Sequence, residues 1–353
     1  MKPRSIKGRG ATAHLPNRFA KQQLHQEHAE GIDEWEESEC EQHTRAIEIY
    51  PKTILNKIKS PDVPGNWGMN PYQGCEHGCS YCYARNSHEY WGYNASLDFE
   101  RVILFKRNAP QLLKKALHQK SWKGEPILLS GNTDCYQPLE KEKKITREVL
   151  KVMKQHRQAV GIITKNALVT RDIDILQEMA KLRIAQVSIS INGVDEAIRS
   201  KLEPRTSTYR KRLEAIQKLS EAGIPVRALV APIIPGINDH EIQRVAEQAA
   251  QAGAIDLGYT YIRLNGHLSA LFEQWLQAYF PDRKKRVLSL IRQSHKGKLN
   301  DSTFGQRMKG DGPIANAIHQ QIALAKKRYF DGKKMPDFQT DLFKRDHEQL
   351  SLF

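Results

Sequence analysis

The chain has 353 residues, with 55 Lys and Arg against 40 Asp and Glu, giving a formal net charge of +15 at pH 7. A chain of this length buries a core without covalent staples, and five cysteines, an odd count, argue against a disulfide framework. No apolar run approaches the roughly 20 residues of a membrane span, and the basic start (Lys2, Arg4, Lys7, Arg9) lacks an apolar signal region, so a reduced, cytoplasmic protein with no membrane association is expected.

In chain order, residues 1–48 combine a basic arm (Lys7 to Gly10) with an acidic stretch from Glu27 to Glu41, without a clear hydrophobic period, and are expected to be extended or loosely attached. Cys40 lies among those acids, which would raise its pKa and make it a poor ligand. Next comes Gly74-Cys75-Glu76-His77-Gly78-Cys79-Ser80-Tyr81-Cys82-Tyr83, whose spacing lets one short loop offer three thiolates to one inorganic centre. Soft thiolates select iron-sulfur clusters or zinc. A cubane cluster held by three cysteines keeps one iron open for a small chelating molecule, whereas a structural zinc site would need a fourth ligand such as His77 or His88. Cys75, Cys79 and Cys82, with Tyr81 before the last of them, resemble the signature of the radical S-adenosylmethionine (SAM) enzymes.

From about Pro71 to Leu264, short β-branched runs alternate with amphipathic patterns. Strands are predicted at 126–130, 160–164, 185–191, 226–234 and 255–263, and helices at 109–119, 146–156, 172–182, 209–222 and 239–252. A further strand just before Cys75 makes six βα units, which call for parallel strands with right-handed crossovers. A closed eight-unit barrel takes about 250 residues, so the expected fold is α/β, a partial (β/α)6 barrel over 49–265. A basic helical extension (266–335) and a flexible tail (336–353) follow.

Chemistry in such barrels sits at the carboxyl ends of the strands. There the sequence places the cysteine loop, then Gly131-Asn132-Thr133-Asp134-Cys135, then Lys165 and Asn166, and then Asn192 after Ser188 and Ser190, which share one strand face. An inward-looking face would put both hydroxyls in the barrel; an outer face should be apolar where helices cover it. Pro232, Pro235, Gly236 and Asn238 form a rigid turn near the same mouth.

Taken together, Cys79 to Tyr83, Thr133-Asp134, Thr164-Lys165 and Ser190 to Asn192 resemble the spore photoproduct lyase-like branch of the radical SAM proteins, over roughly Asn70 to Leu264. The resemblance implies that Cys75, Cys79 and Cys82 hold a [4Fe-4S] cluster whose open iron takes S-adenosylmethionine. Tyr81 would lie against that cofactor, Lys165 would meet its carboxylate, and Asn132, Thr133, Ser188 and Ser190 would line its polar edge. Arg205 is a further anion-binding candidate, a salt bridge to Glu203 being the alternative. The implied chemistry is reductive cleavage to a 5'-deoxyadenosyl radical, fed by a donor such as flavodoxin or ferredoxin, and hydrogen abstraction from a thymine lesion in DNA. In that branch a cysteine with nearby tyrosines returns a hydrogen, but the donor cysteine precedes the Thr-Asp pair, where this chain has Gly131. Cys135, which follows the pair, is the candidate donor here, with a small core residue as the alternative and Tyr83 as the alternative relay. Only Cys40 and Cys135 remain, too few for a second cluster.

Late cationic clusters (Arg283 to Arg286, Lys296 with Lys298, Lys326 to Arg328) are either a polyanion-binding surface or solvated helix faces. The final Gln349-Leu350-Ser351-Leu352-Phe353, and Gln339 to Phe343 before it, resemble the bacterial sliding-clamp binding motif. That resemblance implies that Leu350, Leu352 and Phe353 fill a preformed pocket while Gln349 bonds at its rim; the alternative is an amphipathic segment packing on the body. Three functions follow: a radical SAM enzyme acting on DNA damage, the same chemistry on RNA or protein, and a non-enzymatic zinc or iron-sulfur DNA-binding factor. Cys79→Ala is expected to abolish cluster binding, read as iron and sulfide content after anaerobic reconstitution; a full iron complement in the variant would contradict the assignment.

Overall fold

The computed structural model describes residues 8–11, 15–19, 43–63 and 65–345. Cys40 and the final pentapeptide (Gln349, Leu350, Leu352 and Phe353 among its residues) lie outside them. In chain order the strands are β1 (Arg45–Ile49), β2 (Leu55–Lys57), β3 (Trp67–Met69), β4 (Tyr72–Gln73), β5 (Val102–Lys106), β6 (Ile127–Leu129), β7 (Val160–Thr164), β8 (Ala185–Ser190), β9 (Val226–Ile233) and β10 (Asp256–Tyr261). The helices of the first half are α1 (Leu97–Arg101), α2 (Ala109–His118), α3 (Glu140–Lys143), α4 (Ile145–Gln155) and α5 (Ile173–Lys181). Those of the second half are α6 (Glu196–Leu202), α7 (Tyr209–Glu221), α8 (Ile242–Gln251), α9 (Leu268–Tyr279), α10 (Pro281–Gln293) and α11 (Gly312–Tyr329).

The main sheet runs β10-β9-β8-β7-β6-β3-β2. Its five pairings from β3 to β10 are all parallel, and only β2 is antiparallel, on β3. This is the expected partial barrel, with the predicted strands and helices in place to within three residues, except that the strand just before Cys75, β4, pairs with β5 in a separate sheet and β3 takes the first place in the barrel. Its two faces are defined by alternation along the strands. On β7 and β8, Val160, Ile162, Ala185, Val187 and Ile189 are buried, while Gly161, Ile163, Gln186 and Ser188, paired Gly161 with Gln186 and Ile163 with Ser188, are half-buried on the other, concave face. Ser188 therefore lies on the inner face.

The structure departs from the sequence expectation at both flanks of the barrel. Residues 8–11 and 15–19, expected in a loosely attached arm, are tied down: Ala11 N–H donates to Glu100 Oε1 (2.8 Å), and Arg18 Nε donates to Glu89 Oε2 (2.8 Å). β1 pairs in parallel with β5 in a second, three-stranded sheet, β1-β5-β4. Residues 336–345, expected as the start of a flexible tail, form a strap across the amino ends of the strands. Gln186 Nε2 donates to Pro336 O (2.5 Å), Gln339 N–H to Arg183 O (3.0 Å) and Lys344 N–H to His156 O (2.8 Å). Phe343 packs on Gly124, whose φ of +73° and whose closeness to that ring leave no room for a side chain. In the upstream pentapeptide copy, Gln339 accepts from Arg183 and Phe343 is packed, so that copy is the amphipathic segment lying on the body.

The segment after β10 is largely helical, carrying α9, α10 and α11. α11 lies against α8 and β10, and α9 anchors the extension through Trp275, which is fully buried, stacks on Phe272 (5.1 Å) and donates from Nε1 to Lys201 O at the end of α6 (2.8 Å). Among the described residues no helix is long and apolar enough to cross a membrane. Trp275→Ala removes an aromatic side chain from a packed site and leaves the Lys201 carbonyl unpaired, so it is expected to cost about 3–5 kcal/mol of stability, measured by denaturant unfolding; a loss under about 1 kcal/mol would show that α9 does not carry this load.

Candidate active site

The cysteine loop leaves β4 through Gly74, in the left-handed region at φ +78°, where an added Cβ would meet Val102 O at 2.7 Å. Gly78, at φ +67°, makes the second turn. Cys75 N–H donates to Phe99 O (2.8 Å) and Ser80 N–H to Leu202 O (3.1 Å). Arg85, completely buried, donates to Cys79 O from Nε (3.0 Å) and Nη2 (2.9 Å), and pairs with the buried Glu100 (2.5 Å). Glu100 also accepts from Gly10 N–H (3.1 Å), and a Cβ on Gly10 would fall 1.7 Å from Gly78 O. The amino-terminal residues thus lie directly against the turn between the first two cysteines.

All three thiols are free; Cys75 and Cys79 are buried and Cys82 is half-buried. Burial, with the Asp134 carboxylate adding to it, pushes the Cys75 thiol up to about 12, and burial raises Cys79 well above its ordinary value. Such thiols ionise only against a strong local cation, which an iron centre supplies. Among the described residues no three His, Cys, Asp or Glu side chains converge as they would on one ion. Three sulfurs that each take a different iron of a cluster have no need to converge, so the donor set fits a cluster and not the zinc alternative. Of the two histidines considered for zinc, only His77 has a carboxylate partner among the described residues. His77 Nδ1 is 3.4 Å from Asp134 Oδ2, and His88 is buried between Tyr93 and Phe99, where burial pulls its pKa down to about 4.

Around the loop, the ends of the parallel strands supply polar side chains. Asn132 Nδ2 donates to Gln73 Oε1 (2.7 Å) and Thr133 Oγ1 to Gly74 O (2.6 Å), so both brace the start of the cysteine loop. Asp134 accepts from Thr164 Oγ1 (2.7 Å) and Lys165 N–H (2.8 Å), locking β6 to β7 at the mouth. The half-buried Lys165 ammonium lies 5.9 Å from the centre of the Tyr81 ring. Burial works against its charge, but Glu203 and the other acidic groups nearby outweigh burial and raise its pKa. Tyr81 donates its hydroxyl to Glu203, whose other oxygen pairs with Arg212; both members of that ion pair are completely buried. Arg212 also donates to Ser190 O (2.9 Å), Ser207 O (2.9 Å) and Thr206 Oγ1 (2.5 Å). Burial pushes the Glu203 pKa up, and the Arg212 and Lys165 charges more than reverse this, so it is lowered overall.

Two expectations need correcting. Arg205 does not pair with Glu203; its guanidinium meets Glu76 (3.2 Å), beside Cys75. Cys135 does not face the mouth: it is completely buried in the main core, its N–H on Ser130 Oγ (3.2 Å) and its carbonyl accepting from Thr146 Oγ1 (2.6 Å). Its thiol is pushed well up by burial. Ser190 is on the inner face but nearly closed off at 2% exposure. Tyr83, by contrast, is 48% exposed directly after Cys82, its hydroxyl donating to Gly131 O.

The radical SAM superfamily profile matches residues 69–249, and the chain belongs to that superfamily. Radical SAM enzymes use a [4Fe-4S] cluster and S-adenosylmethionine, and so does this one. An uncharacterized protein of Mycobacterium tuberculosis is 30% identical over 69% of this chain and 73% of its own length. An uncharacterized protein of Methanocaldococcus jannaschii is 30% identical over 67% and 84%. Among solved structures, spore photoproduct lyase complexed with dinucleoside spore photoproduct superposes with a TM-score of 0.59 at 16% identity, covering 81% of this chain and 80% of that one, which shows a shared fold. Breaking the buried pair with Glu203→Gln strands the Arg212 charge and is expected to cost about 3–5 kcal/mol, read by chemical denaturation; a variant as stable as the parent would show that Arg212 finds another anion.

Proposed function

We propose that this radical SAM enzyme acts on DNA carrying a photolesion, in the manner of the spore photoproduct lyases. When bound, the cluster and S-adenosylmethionine supply an electron and a hydrogen-abstracting 5'-deoxyadenosyl radical. The residues of the chain hold and orient them. Cys75, Cys79 and Cys82 take the three ligated irons, and Lys165 meets the cofactor carboxylate. Tyr81, fixed by Glu203, backs the cofactor, with Ser188, Ser190, Asn132 and Thr133 along its polar edge. Arg205, neutralised by Glu76, serves this edge only through that pair. Tyr83, exposed at the mouth, is placed to pass a hydrogen atom to or from a substrate.

The observation that carries a nucleic-acid substrate is the charge on α10. Arg283, Lys285 and Arg286 are exposed and have no acidic partner among the described residues, so they add to the field that attracts a polyanion. Sliding-clamp binding by Gln349 to Phe353 is proposed alongside, as a tether that would raise the local concentration of enzyme on DNA. The buried Cys135 favours a second reading, in which the same centre modifies RNA or protein without a returning thiol.

The test is anaerobic turnover of the reconstituted protein with dithionite and S-adenosylmethionine, following 5'-deoxyadenosine and photoproduct content with ultraviolet-irradiated DNA. Stimulation by irradiated DNA of about tenfold, with loss of photoproducts, is expected. Cleavage indifferent to irradiated DNA would reject the repair reading and leave the second.

A further inference from the structure

β2 and β10 are the two edges of the main sheet, so the partial barrel is open between them. The segment between α10 and α11 crosses that opening. Leu264 N–H donates to Leu299 O (3.1 Å) and Tyr261 N–H to Met308 O (2.8 Å) on the β10 side. On the β2 side, Gly305 N–H (2.6 Å) and Arg307 Nε (2.5 Å) donate to the carboxylate of Asp62, in the loop that follows β2.

Arg263, two residues beyond β10, stands at this crossing with its guanidinium 5.5 Å from the centre of the Tyr83 ring. It is half-buried, and among the described residues it has no hydrogen-bond or ion-pair partner. Asp62, the nearby carboxylate, is taken by Arg307 and Gly305. A guanidinium carries five donors in a fixed fork, and leaving it partly dehydrated without an acceptor is unfavourable. Burial and the Arg307 charge both lower its pKa, and two neighbouring guanidinium charges favour an anion by simple attraction. On the same crossing segment, Phe304 is 55% exposed, with the Arg307 guanidinium 4.3 Å from its ring centre.

We propose that Arg263 and Phe304 form a nucleotide-gripping subsite at the rim of the active site, Arg263 taking a phosphodiester of an unpaired strand and Phe304 stacking an adjacent base. The subsite rests on the nucleic-acid reading above and deepens it. The guanidinium fork suits two phosphate oxygens, and an exposed ring braced by a cation suits a base of any sequence. Contact with Tyr83 puts the gripped nucleotide next to the residue that follows the last cysteine. A substrate held here is single-stranded or locally opened, because a stacked duplex does not present a free base face.

The experiment is fluorescence anisotropy of a short fluorescein-labelled oligothymidylate with the full-length, cluster-reconstituted protein across a salt series. Arg263→Gln is expected to weaken binding about tenfold and to reduce the salt slope by about one. Arg263→Lys should recover only part of the loss, since the charge returns without the fork. Phe304→Ala should weaken binding about tenfold with the salt slope unchanged. Iron content equal to that of the parent protein identifies variants that remain folded, and Phe304→Ala provides the test if Arg263→Gln does not load. Unchanged oligonucleotide binding in the loaded variants would overturn the subsite while leaving the nucleic-acid reading intact. A parent protein that binds no oligonucleotide would overturn both.

Discussion

The ion pair between Glu203 and Arg212, sealed away from water, is the constraint on which the mouth of the barrel depends. Two charges removed from solvent lose several kcal/mol of hydration each, and the loss is recovered only when further hydrogen bonds saturate them. Here they do: Glu203 takes the Tyr81 hydroxyl, and Arg212 reaches Ser190 O, Ser207 O and Thr206 Oγ1. The pair therefore joins the cysteine loop, the end of β8, and the turn between α6 and α7. Its Glu203 carboxylate also raises the Lys165 pKa at the same mouth, against burial and the opposing Arg212 charge. An apolar replacement of equal volume could hold the helices together, but it would leave Tyr81 without an anchor and Lys165 without a counter-charge.

A second buried pair does the same on the other side of the loop. Arg85 holds the Cys79 carbonyl and Glu100, and Glu100 in turn accepts the amides of Gly10 and Ala11. The cysteine loop is thus clamped between Glu203 with Arg212 and Arg85 with Glu100. Fixing both flanks lowers the entropy that the loop loses on taking up a rigid inorganic cluster, which favours a preformed site over one that orders on loading.

Much of this was legible in the sequence, for identifiable reasons. The strands at 160–164 and 185–190 announce themselves because an inner parallel strand is β-branched and short, and the cysteine spacing is chemically selective whatever the fold. The clamps were not legible. Arg212 sits in the polar, cation-rich sequence of α7 and reads as a surface residue; only the approach of Glu203 from the preceding turn explains its burial. Glu100 and Gly10 are ninety positions apart and carry no periodic signal. Cys135 looked like a mouth residue from its place after β6, yet the turn that points Asp134 toward Thr164 and Lys165 sends the next side chain into the core. Arg263 carries no signal in the sequence, because an unpaired arginine is visible only once its neighbours are known.

The strap of residues 336–345 bears on how the protein is made. It closes the amino ends of β6, β7 and β8 with bonds to residues between Lys120 and Gln186, 150 to 225 positions away, and Phe338 reaches to 3.8 Å of where a Gly161 side chain would begin. A chain emerging from the ribosome presents every strand of the barrel well before the strap is available. Until then the floor of the barrel is open to water, and the contacts that seal it are among the longest in sequence separation, hence among the slowest to form. Closure of the floor therefore comes after every barrel strand has been made, and the interior that shelters the cluster loop is sealed only once the strap has left the ribosome.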